Sequence, residues 1–496
     1  MSPAESRSAV AEPAPLASAR GRWLLAATVL GSGMAFLDGT VVNVALPAIG
    51  RDLGGGLSTQ QWVLDGYLLT LSALLLLGGA LGDRYGHRRI FTIGLVSFTV
   101  ASLGCGIAST GETLIVARLV QGVGAAALVP GSLALINSLI VEEDRGRAVG
   151  LWAGISGVTT ALGPFVGGWL VDAASWRWVF LINLPLAAVA VYIVSRHVSA
   201  TRASGVDEPL DLAGAAAITV GLGGLIYALI EIPTRGWTSL TTSAIIVGGV
   251  ALISFPWLEI RSRAPLLPMS LFRSAQFTGA NVTTLAVYAA LGGGLFLLTL
   301  QLQQTLGYSA LESGVATLPI TILLLLLSPR VGVLAQRTGP RLPMTLGPLI
   351  TAVGMALMAR AVPGATYLMD VLPGVLVFGI GLSITVSPLT STVLASVPEE
   401  NVGAASGANN AVSRIASLLA VAVLPLAAGI DAAPGEPLGP GFERAMLISA
   451  ALCAAGGLAS ALSIRRATPV RPSVLPGVNH ACQDPCTREP EASQAA

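Results

Sequence analysis

Long apolar runs separated by short polar segments are the dominant pattern along this chain. The runs at 68–81 and 320–327 contain no charged residue. A helix of about 20 apolar residues is long enough to cross a lipid bilayer. Runs of this kind occur at 23–48, 61–82, 90–109, 112–138, 147–171, 177–195, 211–232, 240–259, 277–300, 313–335, 342–361, 368–392, 402–426 and 445–465. The pattern therefore predicts an all-α integral membrane protein with fourteen transmembrane helices.

The composition also indicates a lipid environment. Of the 496 residues, only 11% are charged and 53% are hydrophobic, whereas roughly 25% of the residues of a soluble globular protein are charged. An ordinary cytosolic enzyme is therefore excluded. An outer-membrane barrel is excluded as well, because its strands would alternate in hydrophobicity and carry aromatic girdles. The 58 glycines favour helices that pack closely through small residues.

Arginine is distributed unevenly between the loops on the two sides of the predicted bundle. All 27 basic residues are arginines, which suggests a GC-rich bacterial genome. If the N-terminus lies inside, the inner loops and tails hold nineteen arginines and the outer loops hold five. Because cytoplasmic loops are enriched in basic residues, both termini are predicted to lie in the cytoplasm. The expected location is the bacterial cytoplasmic membrane.

Two loops share one arrangement of glycine and arginine. The loop after the second run carries Gly79, Asp83, Arg84, Gly86 and Arg88. The loop after the tenth run carries, at the same spacing and 253 residues later, Gly332, Gln336, Arg337, Gly339 and Arg341. Internal repeats of this kind are typical of transporters built from two related halves. The chain is therefore predicted to form two six-helix bundles with two helices inserted between them.

The predicted organisation has five parts. They are a disordered cytoplasmic tail at 1–22, an N-terminal six-helix bundle at 23–198, two inserted helices at 207–262, a C-terminal six-helix bundle at 273–466 and a disordered cytoplasmic tail at 467–496. Both tails are rich in polar residues and proline, so they are not expected to fold alone. The second tail contains His480, Cys482, Asp484 and Cys486. No metal site is predicted there, because a zinc site needs a folded frame around its ligands.

Several motifs occur in the order found in one transporter family. The loop from Gly79 to Arg89 resembles motif A of the major facilitator superfamily, with His87 where a basic residue is usual. The segment Arg118-Leu-Val-Gln121-Gly122 resembles motif B. The segment Gly163-Pro164-Phe-Val-Gly167-Gly168 resembles the antiporter motif C, with Thr159 where a further glycine is usual.

Two further segments narrow this resemblance to one branch. Residues 37–47, which include Asp38 and Asn43, are similar to the first-helix motif of the fourteen-span drug:proton antiporters. Residues 176–185 also resemble this branch. The resemblance implies the major facilitator fold and a secondary multidrug or antibiotic efflux transporter, in which a small amphiphilic compound leaves the cell in exchange for protons by alternating access. It further implies a monomer that needs no cofactor and binds no nucleic acid.

The resemblance also implies roles for the motifs. Motif B arginine Arg118 acts in proton coupling, and motif C favours exchange over leak. Motif A gates the conformational change through Gly79, Asp83, Arg84, Gly86, Arg88 and Arg89. From the residues themselves, Asp83 can form a latch with arginines and with helix N-terminal amides of the opposite bundle. The open alternatives are a generic cytoplasmic turn for the arginines of motif A and a simple packing groove for motif C.

Charged residues inside the apolar runs are candidates for energy coupling. An ionised carboxylate is costly inside a bilayer, so it tends to exchange a proton as water gains or loses access. Asp38 is therefore the leading proton or cation site, and Asp65 near the outer start of the second helix is the second candidate. Arg118 needs a carboxylate, helix carbonyls or water around its charge. A purely structural polar pair remains the alternative for Asp65 and Arg118.

The second half of the chain contains no acidic residue in the middle of a run, so coupling is expected in the first half. Candidates for the substrate cavity are Asp38, Asn43, Gln121, Asn281, Gln301, Asn409 and Asn410. Glu231, at the outer end of the seventh helix, is interpreted as an interfacial anchor.

Three other functions were weighed against drug efflux. Export of an endogenous metabolite or lipid is the nearest alternative, and a sensor that no longer transports is a remote one. An intramembrane enzyme is disfavoured, because His87, His197 and His480 all fall in loops or the tail and no buried histidine remains for haem or a catalytic dyad. A P-loop is excluded, because the chain has no lysine.

Overall fold

The computed structural model describes residues 13–199, 209–398, 401–430 and 436–465. In these residues fourteen helices are long and apolar enough to cross a membrane, which confirms the predicted all-α architecture. They are α1 (Ala19–Leu53), α2 (Leu57–Tyr85), α3 (His87–Gly106), α4 (Gly111–Leu139), α5 (Glu142–Ala173), α6 (Trp178–His197), α7 (Leu212–Arg235), α8 (Ser239–Arg261), α9 (Ala275–Thr305), α10 (Ala310–Thr338), α11 (Arg341–Met358), α12 (Tyr367–Ala395), α13 (Val402–Ala428) and α14 (Pro440–Ser463). The predicted tail at 467–496, with Cys482 and Cys486, lies outside the described residues.

The stretch before α1 is more ordered than the sequence predicts. Ala14 pairs with Ile140 through backbone hydrogen bonds. Leu16 is buried, and its amide donates to Asp144 Oδ2 at 2.8 Å. The predicted boundary of a disordered tail at residue 22 therefore does not hold for 13–22. An apolar side chain and one acidic partner fix this stretch on the loop between α4 and α5, and α1 itself begins before the boundary.

The two repeated loops end α2 and α10 in the same way. Gly86 follows α2 with a φ of 91°, and Gly339 follows α10 with a φ of 84°. Residues with a Cβ rarely adopt a positive φ, so glycine is the residue that fits at both positions. Each glycine amide donates to the carbonyl four residues earlier, that of Gly82 or Ala335, at 2.9 Å. The two helices therefore end with the same backbone conformation, as the shared spacing of their loops predicts.

Helix packing in the two halves follows one scheme. In the first half α1 packs on α5 and α6, while α4 packs on α2 and α3. In the second half α9 packs on α13 and α14, while α12 packs on α10 and α11. Each contact of α1–α6 thus recurs eight helices later. This arrangement supports the predicted pair of six-helix bundles, related as parallel repeats.

The inserted helices α7 and α8 form a hairpin that packs through glycines. A Cβ on Gly224 would lie 2.5 Å from the Ala244 carbonyl oxygen, and one on Gly248 would lie 2.9 Å from the Leu225 amide. Small residues of this kind let membrane helices approach closely. α7 packs against α2 and α13, whereas only 11% of the apolar stretch of α8 is buried. The hairpin therefore lies beside the two bundles.

The two halves meet through α5 with α10 and through α2 with α13. We call the end of the molecule opposite the arginine-rich loops the outer end. Asp172, at the outer end of α5, accepts hydrogen bonds from the amides of Ala310 and Leu311 at 3.2 and 2.8 Å. Toward the other end, α5 has no atom within 4 Å of the Cβ positions of Gly146, Gly150, Gly154 and Gly157. The contact of α5 with the second half is therefore confined to its outer part.

Candidate functional site

Asp38 and Arg118 form an ion pair deep inside the first half. Asp38 lies on α1 and Arg118 on α4, and both side chains are 0% exposed. Arg118 Nη1 donates to Asp38 Oδ2. Arg118 Nε donates to the Val63 carbonyl of α2 at 2.8 Å. The arginine thus has two of the three kinds of partner expected for its charge, a carboxylate and a helix carbonyl.

Two amides and a hydroxyl complete the surroundings of the Asp38 carboxylate. Gln121 Nε2 donates to Asp38 Oδ1 at 2.8 Å, while Gln121 Oε1 accepts from Arg118 Nη1 at 2.7 Å. Asn183 Nδ2, on α6, donates to the same Oδ1 at 3.3 Å. Ser102 Oγ, on α3, accepts from both amides at 2.8 and 3.3 Å. Side chains from α1, α3, α4 and α6 therefore form one network, which we call the Asp38 network.

Aromatic rings enclose the guanidinium of Arg118. Its Cζ lies 4.4 Å from the ring centroid of Tyr67 and 5.6 Å from that of Phe180. The Tyr67 hydroxyl donates to the Ala35 carbonyl of α1 at 2.8 Å, which fixes the ring. Cation–π contacts gain strength when water is excluded. The positive charge is therefore balanced by Asp38 and by ring faces rather than by solvent.

Asp65 stands apart from the Asp38 network. It is fully buried, and in the described part of the chain neither of its carboxylate oxygens has a hydrogen-bond partner. Four residues earlier, Gln61 Nε2 donates to the Val421 carbonyl of α13 at 2.7 Å. Four residues later, Leu69 belongs to one apolar cluster with Leu418 of α13. Residues four apart share a helix face, so Asp65 lies on the side of α2 that packs against the second half.

Two charged residues of motif A, Asp83 and Arg88, have described contacts within the first half. Asp83 is exposed, and its Oδ1 lies 3.4 Å from His87 Nε2. Arg88 Nη2 donates to the Ser195 carbonyl at the end of α6 at 3.2 Å. The described contacts of Asp83 thus do not reach the opposite bundle. Within the described residues the latch between Asp83 and the opposite bundle therefore stays a prediction.

The other residues of motif A surround the turn between α2 and α3. Gly86 makes the turn, Arg84 stacks at 5.5 Å on the ring of Tyr85, and Arg89 is exposed. A Cβ on Gly79 would lie 3.7 Å from Pro130 of α4. That distance is an ordinary contact, so Gly79 is not required by packing in this conformation.

The first two glycines of motif C bring α5 against α1. A Cβ on Gly163 would overlap the Thr40 hydroxyl, and one on Gly167 would lie 2.7 Å from the Val41 carbonyl. The Thr40 hydroxyl also donates across the crossing to the Thr160 carbonyl at 3.0 Å. Any larger side chain at either glycine would push α5 away from the helix that carries Asp38.

The rest of motif C brings α5 against the other half. A Cβ on Gly168 would lie 2.5 Å from the Ala310 carbonyl oxygen of α10. In return, a Cβ on Gly314 of α10 would overlap the carbonyl oxygen of Pro164. Motif C therefore lies where the two halves touch at the outer end, one helix away from the Asp38 network.

Polar candidates of the second half lie mainly between α9 and α13. Asn409 Nδ2 donates to Asn281 Oδ1 at 3.1 Å and to Thr284 Oγ1 at 2.7 Å. Asn410 Oδ1 accepts from Arg414 Nε at 2.9 Å. The Arg414 guanidinium lies 5.7 Å from the ring centroid of Phe36 on α1. Arg414 therefore approaches the first half close to the turn that carries Asp38.

Two predicted cavity residues occupy different surroundings. Gln301 is 1% exposed at the outer end of α9, where its Nε2 donates to the Ala361 carbonyl at 2.7 Å and its Oε1 accepts from Thr305. Because these bonds occupy both polar ends of the side chain, Gln301 has a structural role in this conformation. Asn43 is half-buried, and within the described residues its side chain makes no hydrogen bond.

Glu231 joins the inserted hairpin to the first half. Its Oε1 accepts from Trp62 Nε1 of α2 at 2.8 Å, and its Oε2 lies 2.6 Å from Arg235 Nε. Both partners are near the outer end of their helices. This geometry supports the interpretation of Glu231 as an anchor.

The sequence did not single out Ser102 or Tyr67. A serine or an aromatic residue in an apolar run has no distinguishing sequence signal, because most such residues bond their own helix or fill the core. Phe180 and Asn183 had a signal, since both lie in the segment 176–185 that resembles the antiporter branch, but no role followed from it. Among the described residues, no group of three or more His, Cys, Asp or Glu is placed to hold a metal ion.

Comparison with known proteins agrees with this architecture. The family model described as Major Facilitator Superfamily matches residues 28–421. The chain is 36% identical over 426 residues to the multidrug resistance protein Stp of Mycobacterium tuberculosis, covering 85% of this chain and 78% of that protein. It is 34% identical over 417 residues to the tetracenomycin C resistance and export protein of Streptomyces glaucescens, covering 83% and 77%.

Solved structures show the same fold at lower identity. A POT family transporter in complex with 5-aminolevulinic acid superposes with a TM-score of 0.68 at 14% identity, covering 90% of this chain and 97% of that one. The fourteen helices, the repeated loops and the matched family model all lead to one assignment. The chain is a membrane transporter that belongs to the Major Facilitator Superfamily, in its drug-efflux branch.

Proposed function

We propose that this transporter exports a small amphiphilic compound across the cytoplasmic membrane in exchange for protons, with Asp38 as the proton site. The observation that carries the proposal is the Asp38 network, a fully buried ion pair whose carboxylate accepts three donors. An ionisable pair this deep in a membrane helix bundle is rare and is generally functional.

Protonation of Asp38 would change the energy of the buried pair. A neutral Asp38 leaves Arg118 charged and 0% exposed without its counter-ion. Loss of one partner from a buried ion pair costs about 3–5 kcal/mol, and each 1.4 kcal/mol or so changes a population ratio tenfold. Binding of a proton can therefore shift the balance between two conformations of the transporter.

The packing of the two halves supports an inward-open assignment for this conformation. Motif C and Asp172 hold the halves together at the outer end, whereas the other end of α5 is uncovered. With the arginine-rich loops in the cytoplasm, the opening faces the cytoplasm. An ionised Asp38, held by its donors, then corresponds to the state that has released its proton inside and can accept substrate.

Asp65 fits a second proton site at the contact between α2 and α13. A buried carboxylate without a partner is far less costly when it is protonated. Separation of the outer ends of α2 and α13 would expose this face of α2 to water, where the carboxyl group can ionise. Asp65 would then bind a proton from outside before the outer end closes again.

The substrate is expected in the space between the halves. The candidates for substrate contact are Asn43 from the first half and Asn281, Asn409 and Asn410 from the second, whereas Gln121 is buried and bound within the Asp38 network. Two of the relatives, a multidrug resistance protein and an export protein for tetracenomycin C, support an amphiphilic antibiotic or drug as cargo. One chain holds every element of this pathway, which supports a monomer as the working unit.

The test measures proton-driven transport by the Asp38→Asn variant and by the wild-type protein in proteoliposomes. A screen of antibiotics and cationic dyes against the wild-type protein supplies the substrate. We expect Asp38→Asn to lose gradient-driven uptake into inverted vesicles, because an amide cannot exchange a proton. Glu112→Gln is the matched control, because Glu112 is an exposed acid at the start of α4. Undiminished uptake by Asp38→Asn, or uptake driven by ATP alone, would exclude the proposed mechanism.

A further inference from the structure

Residues 176–183, Trp-Arg-Trp-Val-Phe-Leu-Ile-Asn, contribute Phe180 and Asn183 to the surroundings of the Asp38–Arg118 pair and also contact the outer end of the first half. The segment forms one short helical turn, Trp178–Leu181, and the regular part of α6 begins only at Asn183. We call residues 176–183 the bridging segment. Its two ends contact α1 at two places that are separated along that helix.

The outer end of the bridging segment is fixed to the end of α1. Trp176 Nε1 donates to Asp52 Oδ2 at 2.9 Å, and Arg177 Nη1 donates to the same oxygen at 2.5 Å. Arg177 Nη2 also donates to the Ala108 carbonyl after α3, at 3.1 Å. The guanidinium stacks on the Trp176 ring at 4.3 Å. This end is therefore held by three hydrogen bonds to two other parts of the first half, and by one stacking contact within the segment.

The inner end of the bridging segment enters the Asp38 network. Phe180 is fully buried, meets Trp176 edge-on at 6.2 Å and lies 5.6 Å from the Arg118 guanidinium. Asn183 is fully buried and donates through Nδ2 to Asp38 Oδ1. Asp38 and Asp52 are about 21 Å apart along α1 at the usual helical rise. The segment therefore ties the outer end of α1 to the middle of the same helix.

We propose that Asn183 is a positioning residue for the Asp38 carboxylate, and that the Asp52 anchor of the bridging segment holds the Asn183 amide in its donating orientation. This inference rests on the proposed role of Asp38. The other charged or titratable groups near the carboxylate are Arg118 on α4, Tyr67 on α2, Cys105 on α3 and Arg414 on α13. Gln121 is bound to Arg118 as well, so Asn183 is the donor that responds to the bridging segment.

The experiment is infrared difference spectroscopy of the full chain in nanodiscs, which needs no substrate. The carboxylic-acid C=O band that disappears in Asp38→Asn reports Asp38, and its pH midpoint is measured in each variant. Asn183→Leu has nearly the same shape but cannot donate. We expect its midpoint to move upward by about one pH unit or more, because the ionised form loses a charged hydrogen bond.

Three further variants separate positioning from folding. Asn183→Ser keeps a donor and should return the midpoint toward the wild-type value. Arg177→Gln removes the anchor and should move the midpoint upward by a smaller amount. Asn137→Leu is the matched control, because Asn137 is exposed near the C-terminal end of α4 and outside the Asp38 network. Its midpoint should equal that of the wild-type protein.

The outcomes distinguish this inference from the proposed function. If no band titrates in the wild-type protein and Asp38→Asn still transports, the proton site is wrong. If the Asp38 band titrates but Asn183→Leu and Arg177→Gln keep the wild-type midpoint, the positioning role is overturned while the proposed function stands. A variant that only lowers the amount of folded protein, with an unchanged midpoint, counts against the positioning role in the same way.

Discussion

At the scale of single residues, the proposed proton coupling is concentrated around Asp38. Its sequence position inside an apolar run was enough to predict a proton or cation site. The pairing with Arg118 could not be predicted, because the two residues are 80 positions apart and only the packing of α1 on α4 brings them together. Asp65 offered the same sequence signal, yet the structure places it in the contact with α13, away from the arginine.

Arg118→Lys tests the geometry of the ion pair. Lysine keeps the charge but lacks the planar fork that reaches Asp38, Gln121 and the Val63 carbonyl together. We expect gradient-driven efflux to fall at least about tenfold, which corresponds to one lost charged hydrogen bond. Substrate counterflow without a gradient should be largely retained. The control is Arg330→Lys, because Arg330 is exposed on α10; equal efflux by both variants would remove the fork from the mechanism.

At the scale of helices, glycines decide which elements touch. The sequence indicated that motif C thins one side of a helix, with a packing groove as the open alternative. The structure shows two separate contacts, with α1 through Gly163 and Gly167 and with α10 through Gly168. A local pattern predicts that a helix can be approached closely. The local pattern does not show which helix approaches, because the identity of that helix depends on where the rest of the chain lies.

Gly168→Ala tests the contact of α5 with α10. A Cβ at this position would lie 2.5 Å from the backbone of Ala310, so the outer ends must separate. We expect a lower melting temperature in detergent and slower efflux. Gly157→Ala is the matched control on the same helix, because nothing lies within 4 Å of its Cβ. That variant should gain up to about 1 kcal/mol from helix propensity. A similar response of both variants would show that the contact is not close packed.

At the scale of the whole molecule, the repeat organises both the fold and the proposed motion. The spacing shared by the two loops predicted two related halves, and the helix contacts of α1–α6 recur in α9–α14. The contacts between the halves follow the same symmetry, since α5 meets α10 and α2 meets α13. Two symmetric contacts between the halves are compatible with rocking of the halves as units around a site between them.

A cross-link at the outer end tests this motion. Asp172 accepts from the Leu311 amide, so cysteines at both positions should form a disulfide between α5 and α10. We expect the oxidised Asp172→Cys, Leu311→Cys double variant to lose efflux and a reductant to restore it, because the outer end cannot open. The two single variants control for the native cysteines and for the loss of Asp172. Full efflux with the disulfide intact would contradict alternating access.

The sequence by itself determined that most of the chain lies in lipid. It also determined the number of helices, the family and the charged residues that lie inside membrane helices. These properties depend on composition, periodicity and local spacing, which are written along the chain. The tertiary structure decided the partners: Arg118 and Asn183 for Asp38, and α10 for motif C, while the Asp65 carboxylate has no hydrogen-bond partner among the described residues. It also revealed the order of residues 13–22 and the structural place of Gln301. These contacts join residues that are distant in sequence, and only the packing of the helices determines which of those residues meet.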